Sequence, residues 1–209
     1  MSGNNQSASF HAILGSPGGG KTTHLVKQLN RRRRKRTLIW SPKEPIDNYA
    51  ALYPGSVVCT TATQVLDVLR AAGGKGGFHI VVKPRLSRKD DEKLFHVVCK
   101  MALAAGSLTF VAEELHTVTR PSWAPDGWSE LVFMGRGYGI EIFGLSQRPA
   151  SMDKDFLSVV SSVHTRRLSL VEDAKTVAKT IGVKPEEVIG MSGFMWIERD
   201  NLTGKVTRG

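Results

Sequence analysis

Short apolar runs alternate with longer amphipathic stretches along this chain of 209 residues. A short apolar run bounded by turn residues is typical of a buried strand, whereas apolar residues three and four positions apart are typical of a helix. The predicted strands cover residues 10–14, 37–40, 57–60, 78–82, 108–112, 140–145 and 162–170, followed by a terminal hairpin from 194–197 and 205–207.

Helices are predicted between these strands, and several carry end signals. Thr61 and Gln64 have the spacing of a capping box, and Ser87 precedes a helix that Gly106 stops. Further helices are expected over 22–30, from about residue 129 to 135, from 172 to 182, and from Pro185. The alternation favours a layered α/β fold with a mostly parallel central sheet and a C-terminal β-hairpin. We expect one domain over residues 10–209, preceded by a flexible polar arm over 1–9.

A glycine-rich loop joins the first strand to the first helix. Its sequence, Gly15-Ser16-Pro17-Gly18-Gly19-Gly20-Lys21-Thr22, fits the phosphate-binding pattern G-x-x-x-x-G-K-[ST]. Glycines let the backbone turn its N–H groups toward phosphates, and the helix N-terminus adds partial positive charge. The strand and helix on either side make a chance glycine turn a poor alternative. The sequence therefore predicts a P-loop that binds a nucleoside triphosphate.

Each residue of this loop has an expected task. Lys21 reaches the β- and γ-phosphates, and the Thr22 hydroxyl ligates Mg²⁺. The residues expected to bind the nucleotide are Gly15, Ser16, Pro17, Gly18, Gly19, Gly20, Lys21, Thr22 and Thr23.

Two acidic residues follow the apolar run 108–112 and give it the form of a Walker B strand. Nucleotide hydrolysis needs an acid near the metal and a group that orients water. We expect Glu113 to hold the Mg²⁺ shell and Glu114 to polarise the attacking water. The alternative is a strand end that is merely solvated, and the upstream P-loop favours the catalytic interpretation.

Gln147 and Arg136 complete the candidate catalytic set. Gln147 follows the next predicted strand, and ligands gather at the carboxyl ends of parallel strands, so its amide is expected to sense the γ-phosphate. The alternative for Gln147 is a turn or capping role. Arg136 lies among glycines and suits an arginine finger offered to a neighbouring subunit. The alternative, a surface arginine with no catalytic role, remains open. Competing finger candidates are Arg148, Arg166 and Arg167.

The charge of the chain is strongly positive. There are 29 Lys and Arg against 19 Asp and Glu, a formal net charge of +10, and a basic surface attracts polyanions such as duplex DNA without reading sequence. The polar start lacks a signal-peptide core and no apolar run is long enough to span a bilayer, so we expect a cytosolic protein. Cys59 and Cys99 lack ligand spacing and are expected to be buried free thiols.

Together these motifs resemble the HerA/FtsK superfamily of DNA-pumping ATPases. Within it, the chain looks most like the compact genome-packaging ATPases of tailless viruses with an internal membrane, of the tectivirus kind. The residues that carry the resemblance are GSPGGGKT at 15–22, FVAEELH at 110–116 and, most specifically, GRGYGIEIFGLSQRP at 135–149. The chain departs from the usual pattern at Glu113, where Asp is common.

The resemblance implies a RecA-like sheet and an ATPase that moves double-stranded DNA into a preformed capsid. It also implies a homo-oligomeric ring, expected to be a hexamer, with ATP between subunits and DNA in the channel. Capsid vertex or portal-like proteins are the expected partners, and the host cytoplasm and virion the expected locations. Candidates for pore or partner contact are the basic run 31–36, Lys75, and Trp123 and Trp128 with Arg120. A solvated helix end is the alternative for the basic run, and packing or a subunit interface is favoured for the tryptophans.

Three other functions stay open. A filamentous-phage assembly ATPase belongs to the same superfamily, although such proteins usually carry a membrane anchor. A small-molecule kinase also begins with a P-loop, and a non-catalytic morphogenesis factor would use the loop structurally. A GTPase is disfavoured because no Asn-Lys-x-Asp segment is present.

Overall fold

A nine-stranded sheet organises the residues that the computed structural model describes, 8–84 and 87–209. Its strands are β1 (Phe10–Leu14), β2 (Arg36–Trp40), β3 (Val57–Cys59), β4 (Phe78–Val82), β5 (Thr109–Ala112), β6 (Glu141–Ser146), β7 (Ser162–Arg166), β8 (Trp196–Asp200) and β9 (Val206–Arg208). The strand order is β3-β4-β2-β5-β6-β1-β7-β8-β9. Neighbours from β3 to β7 are parallel, and β8 and β9 join antiparallel as the predicted hairpin. The predicted fold class is confirmed.

Seven α-helices flank this sheet in the described ranges. They are α1 (Lys21–Arg32), α2 (Ala62–Ala72), α3 (Arg88–Ala105), α4 (Asp126–Met134), α5 (Lys154–Val159), α6 (Val171–Ile181) and α7 (Pro185–Gly190). The predicted end signals are confirmed. Thr61 and Gln64 form a capping box, and the Ser87 hydroxyl accepts a hydrogen bond from the Asp90 N–H. Most of the predicted arm, residues 1–7, lies outside the described residues.

Helix α5 was not expected from the sequence, and β7 is shorter than predicted. Asp153 caps α5 by accepting from the N–H groups of Asp155 and Phe156. Strand β7 ends at Arg166, not at residue 170, because the chain then follows the glycine loop. The Ser16 N–H donates to the Arg167 carbonyl at 2.9 Å, and the Ser169 N–H donates to the Ser16 hydroxyl at 3.1 Å.

The sheet separates two apolar clusters. On one face, large aromatic side chains pack beneath the helices, among them Trp40, Phe95, Phe110, Trp128 and Phe156. On the other face, α1 and the 49–53 segment cover a smaller cluster. Trp128 is fully buried, which confirms packing as its role, and Cys59 and Cys99 are buried free thiols as predicted. None of the helices in the described ranges combines the length and apolar character that crossing a bilayer requires.

The strand order positions the candidate site. Strands β5, β6 and β1 are adjacent and parallel, so their carboxyl ends meet at one edge of the sheet. The glycine loop follows β1, the Glu113-Glu114 pair follows β5, and Gln147 follows β6. The topology therefore brings three segments that are far apart in sequence to one crevice.

Candidate nucleotide-binding and catalytic site

The glycine loop turns from β1 into α1 with little room for side chains. Gly20, the N-cap of α1, has φ +84°, a conformation that glycine adopts without a steric penalty. A Cβ on Gly15 would lie 2.7 Å from the Cβ of Arg166, so the loop passes close against the end of β7. Glycine is therefore required at Gly20 by conformation and at Gly15 by close approach.

A cavity of about 350 Å³ opens beside this loop. Its walls come from the loop, from the segment after β2, and from the ends of β5 and β6. The lining residues are Pro17, Gly18, Gly19, Gly20, Lys21, Thr22, Thr23, Lys43, Ile46, Asp47, Glu113, Glu114 and Gln147. The backbone of the loop and the start of α1 thus face a cavity large enough for a phosphate chain.

Lys21 is folded back on its own loop. Its Nζ donates to the carbonyl oxygens of Gly15 at 2.8 Å and Ser16 at 3.2 Å, and the residue is 7% exposed. Burial lowers the pKa of this ammonium, and the carboxylates of Glu114 and Glu113 oppose that shift. The loop therefore holds a desolvated cation at the position where an anionic phosphate would be attracted.

Glu113 is buried at the end of β5 against a tyrosine. Its carboxylate accepts a hydrogen bond from the Tyr49 hydroxyl, with which the Thr22 side chain also interacts. Burial raises the pKa of Glu113 to about 7. Thr22 and Glu113 are oxygen donors that line the same cavity, and hard cations such as Mg²⁺ prefer oxygen ligands. The donor set therefore fits the metal that the sequence predicts.

Glu114 has an unusual backbone and an incompletely bonded carboxylate. Its φ of +49° is rare for a residue other than glycine. Its Oε1 accepts hydrogen bonds from the Lys43 ammonium and the Gln147 amide. Its Oε2 is buried without a hydrogen-bond partner in the described chain. His116 Nδ1 lies 3.5 Å from Oε2 and is 3.0 Å from the Ser146 hydroxyl, to which it is hydrogen-bonded instead.

The structure therefore gathers five of the sequence-predicted side chains at one cavity: Lys21, Thr22, Glu113, Glu114 and Gln147. A buried acceptor with no partner is uncommon and calls for an explanation such as a bound water or substrate. The free Oε2 of Glu114 has the chemistry needed to orient a water beside a phosphate chain.

Arg136 lies at the opposite edge of the sheet. Its guanidinium donates to the Val159 carbonyl and to the Ser161 hydroxyl, and its Cζ lies 4.7 Å from the centre of the Phe10 ring. Phe10 is the first residue of β1, and the glycine loop follows Leu14, the last residue of the strand. At ~3.3 Å per residue, these two ends of β1 are about 13 Å apart. Arg136 therefore does not reach the cavity of its own chain.

The other arginine candidates have structural contacts. Arg148 Nε is 3.0 Å from Asp173 Oδ2, and the Arg166 guanidinium donates to the Phe194 carbonyl. Arg167 supplies the carbonyl that accepts from Ser16. Of these side chains, that of Arg166 packs directly against the glycine loop.

The basic run 31–36 ends α1 and makes several structural bonds. Arg32 Nε lies 2.5 Å from a Glu141 carboxylate oxygen, and Arg36 donates to the carbonyl oxygens of Gly74 and Ala105. Part of the run therefore fastens the helix end to the sheet. Arg120 stacks on Trp123, its Cζ 4.6 Å from the ring centre, and Trp123 is 42% exposed.

Sequence reasoning missed three residues that follow β2: Lys43 and Asp47, which line the cavity, and Tyr49, which is buried against Glu113. Burial raises the pKa of Asp47, and Tyr49 and Lys43 hold the two glutamates described above. The available signal was that Lys43 and Asp47 are charged and follow β2, a strand that pairs with β5. No motif spacing marks these residues, since their position depends on how the connection folds over the sheet end.

The fold and the glycine loop define the class of protein, a P-loop NTPase with a mostly parallel sheet. No family model matches the chain. In sequence, it is 21% identical over 178 residues to Protein P9 of Pseudoalteromonas phage PM2, covering 85% of this chain and 77% of that protein. Protein P9 is therefore a distant relative.

The structure is similar to two solved P-loop proteins over nearly its whole length. One is the genome packaging NTPase B204 from Sulfolobus turreted icosahedral virus 2 in complex with ATPγS, with a TM-score of 0.71, 11% identity and 97% of both chains covered. The other is VirB4 of Thermoanaerobacter pseudethanolicus, with a TM-score of 0.70, 12% identity, and 100% of this chain and 90% of VirB4 covered. These likenesses show a shared fold, and with P9 they confirm the resemblance drawn from the motifs.

Proposed function

We propose that this chain is an ATP-hydrolysing motor subunit that packages a double-stranded DNA viral genome into a preformed capsid. The observation that carries the proposal is the convergence of Lys21, Thr22, Glu113, Glu114 and Gln147 on one cavity beside the glycine loop. The likeness to B204, solved in complex with ATPγS, supports nucleotide binding at this loop and packaging as the process served.

Binding of ATP rests on the loop and the start of α1. The backbone N–H groups and the helix N-terminus attract the phosphates, and Lys21 exchanges its carbonyl partners in the loop for phosphate oxygens. Thr22 and Glu113 are the residues that would hold Mg²⁺, whose chemistry is to neutralise charge on the phosphates. The Tyr49 hydroxyl keeps the Glu113 carboxylate in place.

Hydrolysis rests on Glu114 and Gln147. Lys43 and Gln147 hold one oxygen of the Glu114 carboxylate, so the other oxygen is available to orient a water and accept its proton. The water oxygen bonds to the γ-phosphorus while the bond from that phosphorus to the β-phosphate oxygen breaks. In this proposal, the Gln147 amide contacts both the γ-phosphate and the attacking water.

A neighbouring subunit supplies the remaining charge in this proposal. Because Arg136 does not reach the cavity of its own chain, we assign it to the cavity of the next subunit in a head-to-tail ring. An arginine finger contributes on the order of 10³–10⁵ in rate. Such a ring, expected to be a hexamer, couples hydrolysis to assembly.

The net charge of +10 supports duplex DNA as the polymer that is moved, through phosphate contacts independent of sequence. Capsid vertex proteins are the partners that packaging requires.

The test is ATP hydrolysis by the purified protein with and without duplex DNA, at low and high salt. We expect stimulation by DNA that weakens as salt rises, and loss of activity in Lys21→Ala and Glu114→Gln. Phosphate transfer to a small acceptor, or turnover indifferent to DNA, would instead indicate a kinase. Absence of any turnover by the assembled wild-type protein would favour a non-catalytic role. Mixing Arg136→Ala with Glu114→Gln should restore hydrolysis if the finger acts between subunits.

A further inference from the structure

A cluster of metal-binding side chains lies behind the glycine loop, on the face of the sheet that α1 covers. It consists of His24 on α1, His164 on β7 and Glu198 on β8. One donor atom from each residue lies within 4.8 Å of the others. We propose that these three residues form a transition-metal site, with Zn²⁺ as the ion that their chemistry favours, separate from the nucleotide cavity.

The donor set suits zinc. Two imidazoles and one carboxylate are ligands that Zn²⁺ accepts at about 2.0–2.2 Å, with water completing the shell. At tetrahedral angles, donor atoms bound to one ion lie roughly 3.3–3.5 Å apart. Donor atoms that are up to 4.8 Å apart must therefore approach one another by about 1–1.5 Å, through side-chain rotation, to bind one ion. His24 and Glu198 are only partly buried, and His24 must move off its stack on the His164 ring, with centroids 3.6 Å apart, to share the ion.

His164 is the buried member of the cluster. It is 3% exposed, and its Nε2 is buried without a hydrogen-bond partner in the described chain. Its Nδ1 lies 2.9 Å from the Glu198 carboxylate, so this nitrogen is the one that can share an ion with Glu198, and the ion would replace their hydrogen bond.

There is space for an ion beside this ring. A cavity of about 90 Å³ is lined by His24, His164 and Glu198 together with residues of β1 and α1. That volume exceeds the ~30 Å³ share of one water in the liquid. Arg32 also lines the cavity, but its guanidinium is neutralised by Glu141 at 2.5 Å and also donates to Gln28. Its charge therefore does not exclude a cation.

The position of the cluster gives the site its role. His24 is one helical turn into α1, after Lys21 and Thr22 of the glycine loop, and Glu198 belongs to the C-terminal hairpin. An ion held by the three residues would link the nucleotide-binding helix to β7 and β8. We therefore assign the site a structural function, and its occupancy should raise the temperature of unfolding.

A metal titration tests this inference without nucleotide. Protein freed of metal with EDTA and returned to millimolar Mg²⁺ is titrated with Zn²⁺ against a chromophoric chelator, and separately with Co²⁺, whose visible absorption reports coordination. We expect one Zn²⁺ per chain and a higher unfolding temperature with Zn²⁺. His24→Gln and Glu198→Gln should each weaken Zn²⁺ binding more than about 100-fold, beyond the loss typical of a residue outside the ligand shell.

The matched control is His79→Gln. His79 is also half-buried, hydrogen-bonded to Thr37 at 2.9 Å and stacked on Tyr53, but it lies on β4 away from the cluster. This variant should bind Zn²⁺ like wild type. Binding below one equivalent, or equal affinity in His24→Gln and His79→Gln, would overturn the site and leave the stacking of His24 on His164 as packing. Retained binding of an ATP analogue by His24→Gln would show that the variant is folded.

Discussion

Replacing Lys43 by methionine removes the cation that holds Glu114 while keeping the length of the side chain. The Lys43 ammonium and the Gln147 amide both donate to Oε1 of Glu114, and the Glu114 side chain is only 6% exposed. In the variant this buried carboxylate keeps the amide but loses its charged partner. Both folding stability and the orientation of the catalytic oxygen should suffer.

The magnitude follows from the burial of the pair. Removing one partner of a buried ion pair costs about 3–5 kcal/mol, whereas exposed pairs contribute about 0–1 kcal/mol. The Lys43 side chain is 43% exposed and that of Glu114 6%, so we expect an intermediate loss of about 1–2 kcal/mol. In a domain of this size that lowers the unfolding temperature by roughly 2–8 °C. A similar loss of transition-state positioning lowers kcat by roughly 5–30-fold.

Thermal unfolding and steady-state hydrolysis measure the two effects. Lys43→Arg should recover most of both, because it restores the charge. Lys93→Met is the matched control, since Lys93 pairs with Asp90 on the surface at 3.1 Å with 67% and 48% of the side chains exposed. We expect it to change stability by less than about 0.5 kcal/mol. KM for ATP should change little in Lys43→Met, because the residue acts through Glu114.

A double-mutant cycle decides whether the pair is the cause. In a Glu114→Gln background, Lys43→Met should cost little stability because the charge it pairs with is gone. An equal loss in both backgrounds, or a loss no larger than that of Lys93→Met, would refute this account of Lys43.

Three further predictions follow from other parts of the structure. Arg136→Ala should bind ATP normally, but the assembled protein should hydrolyse it at least ~10³-fold more slowly, as single-turnover assays will show; full activity would remove Arg136 as the finger. Gly144→Ala should lose about 1–3 kcal/mol in denaturant unfolding, because its Cβ would lie 2.4 Å from the buried Phe156 ring, whereas Gly74→Ala, in open space, should be near neutral. Burial lowers the pKa of His24 to about 4, so the unfolded chain binds more protons than the folded chain between pH 4 and about 6.5. In EDTA, the free energy of unfolding should therefore fall as the pH drops through that window. His24→Gln should flatten this dependence on pH.

The nucleotide site was largely predictable because its parts are local or follow from parallel topology. The glycine loop has a diagnostic spacing, and the fold places it between a strand and a helix as predicted. Glu114 and Gln147 were expected to meet because both follow strands of a parallel sheet. Strands β5 and β6 are neighbours, which brings the two side chains into hydrogen-bond contact.

Lys43, Tyr49 and helix α5 were beyond sequence reasoning for physical reasons. The segment after β2 has no periodic apolar pattern, and its course over the sheet end depends on contacts with residues far away in sequence, such as the bond from Tyr49 to Glu113. Helix α5 spans six residues, too few for a helical period to stand out. The cluster of His24, His164 and Glu198 has no ligand spacing, since sheet pairing alone brings β7 and β8 together.

The most direct test of the central claim is a crystal structure with a non-hydrolysable ATP analogue and Mg²⁺. The account predicts the triphosphate in the glycine loop, Lys21 on the terminal phosphates, and Glu114 Oε2 and the Gln147 amide facing the γ-phosphate. An analogue bound elsewhere, or a loop-bound analogue with Glu114 and Gln147 turned away from it, would contradict the proposed motor.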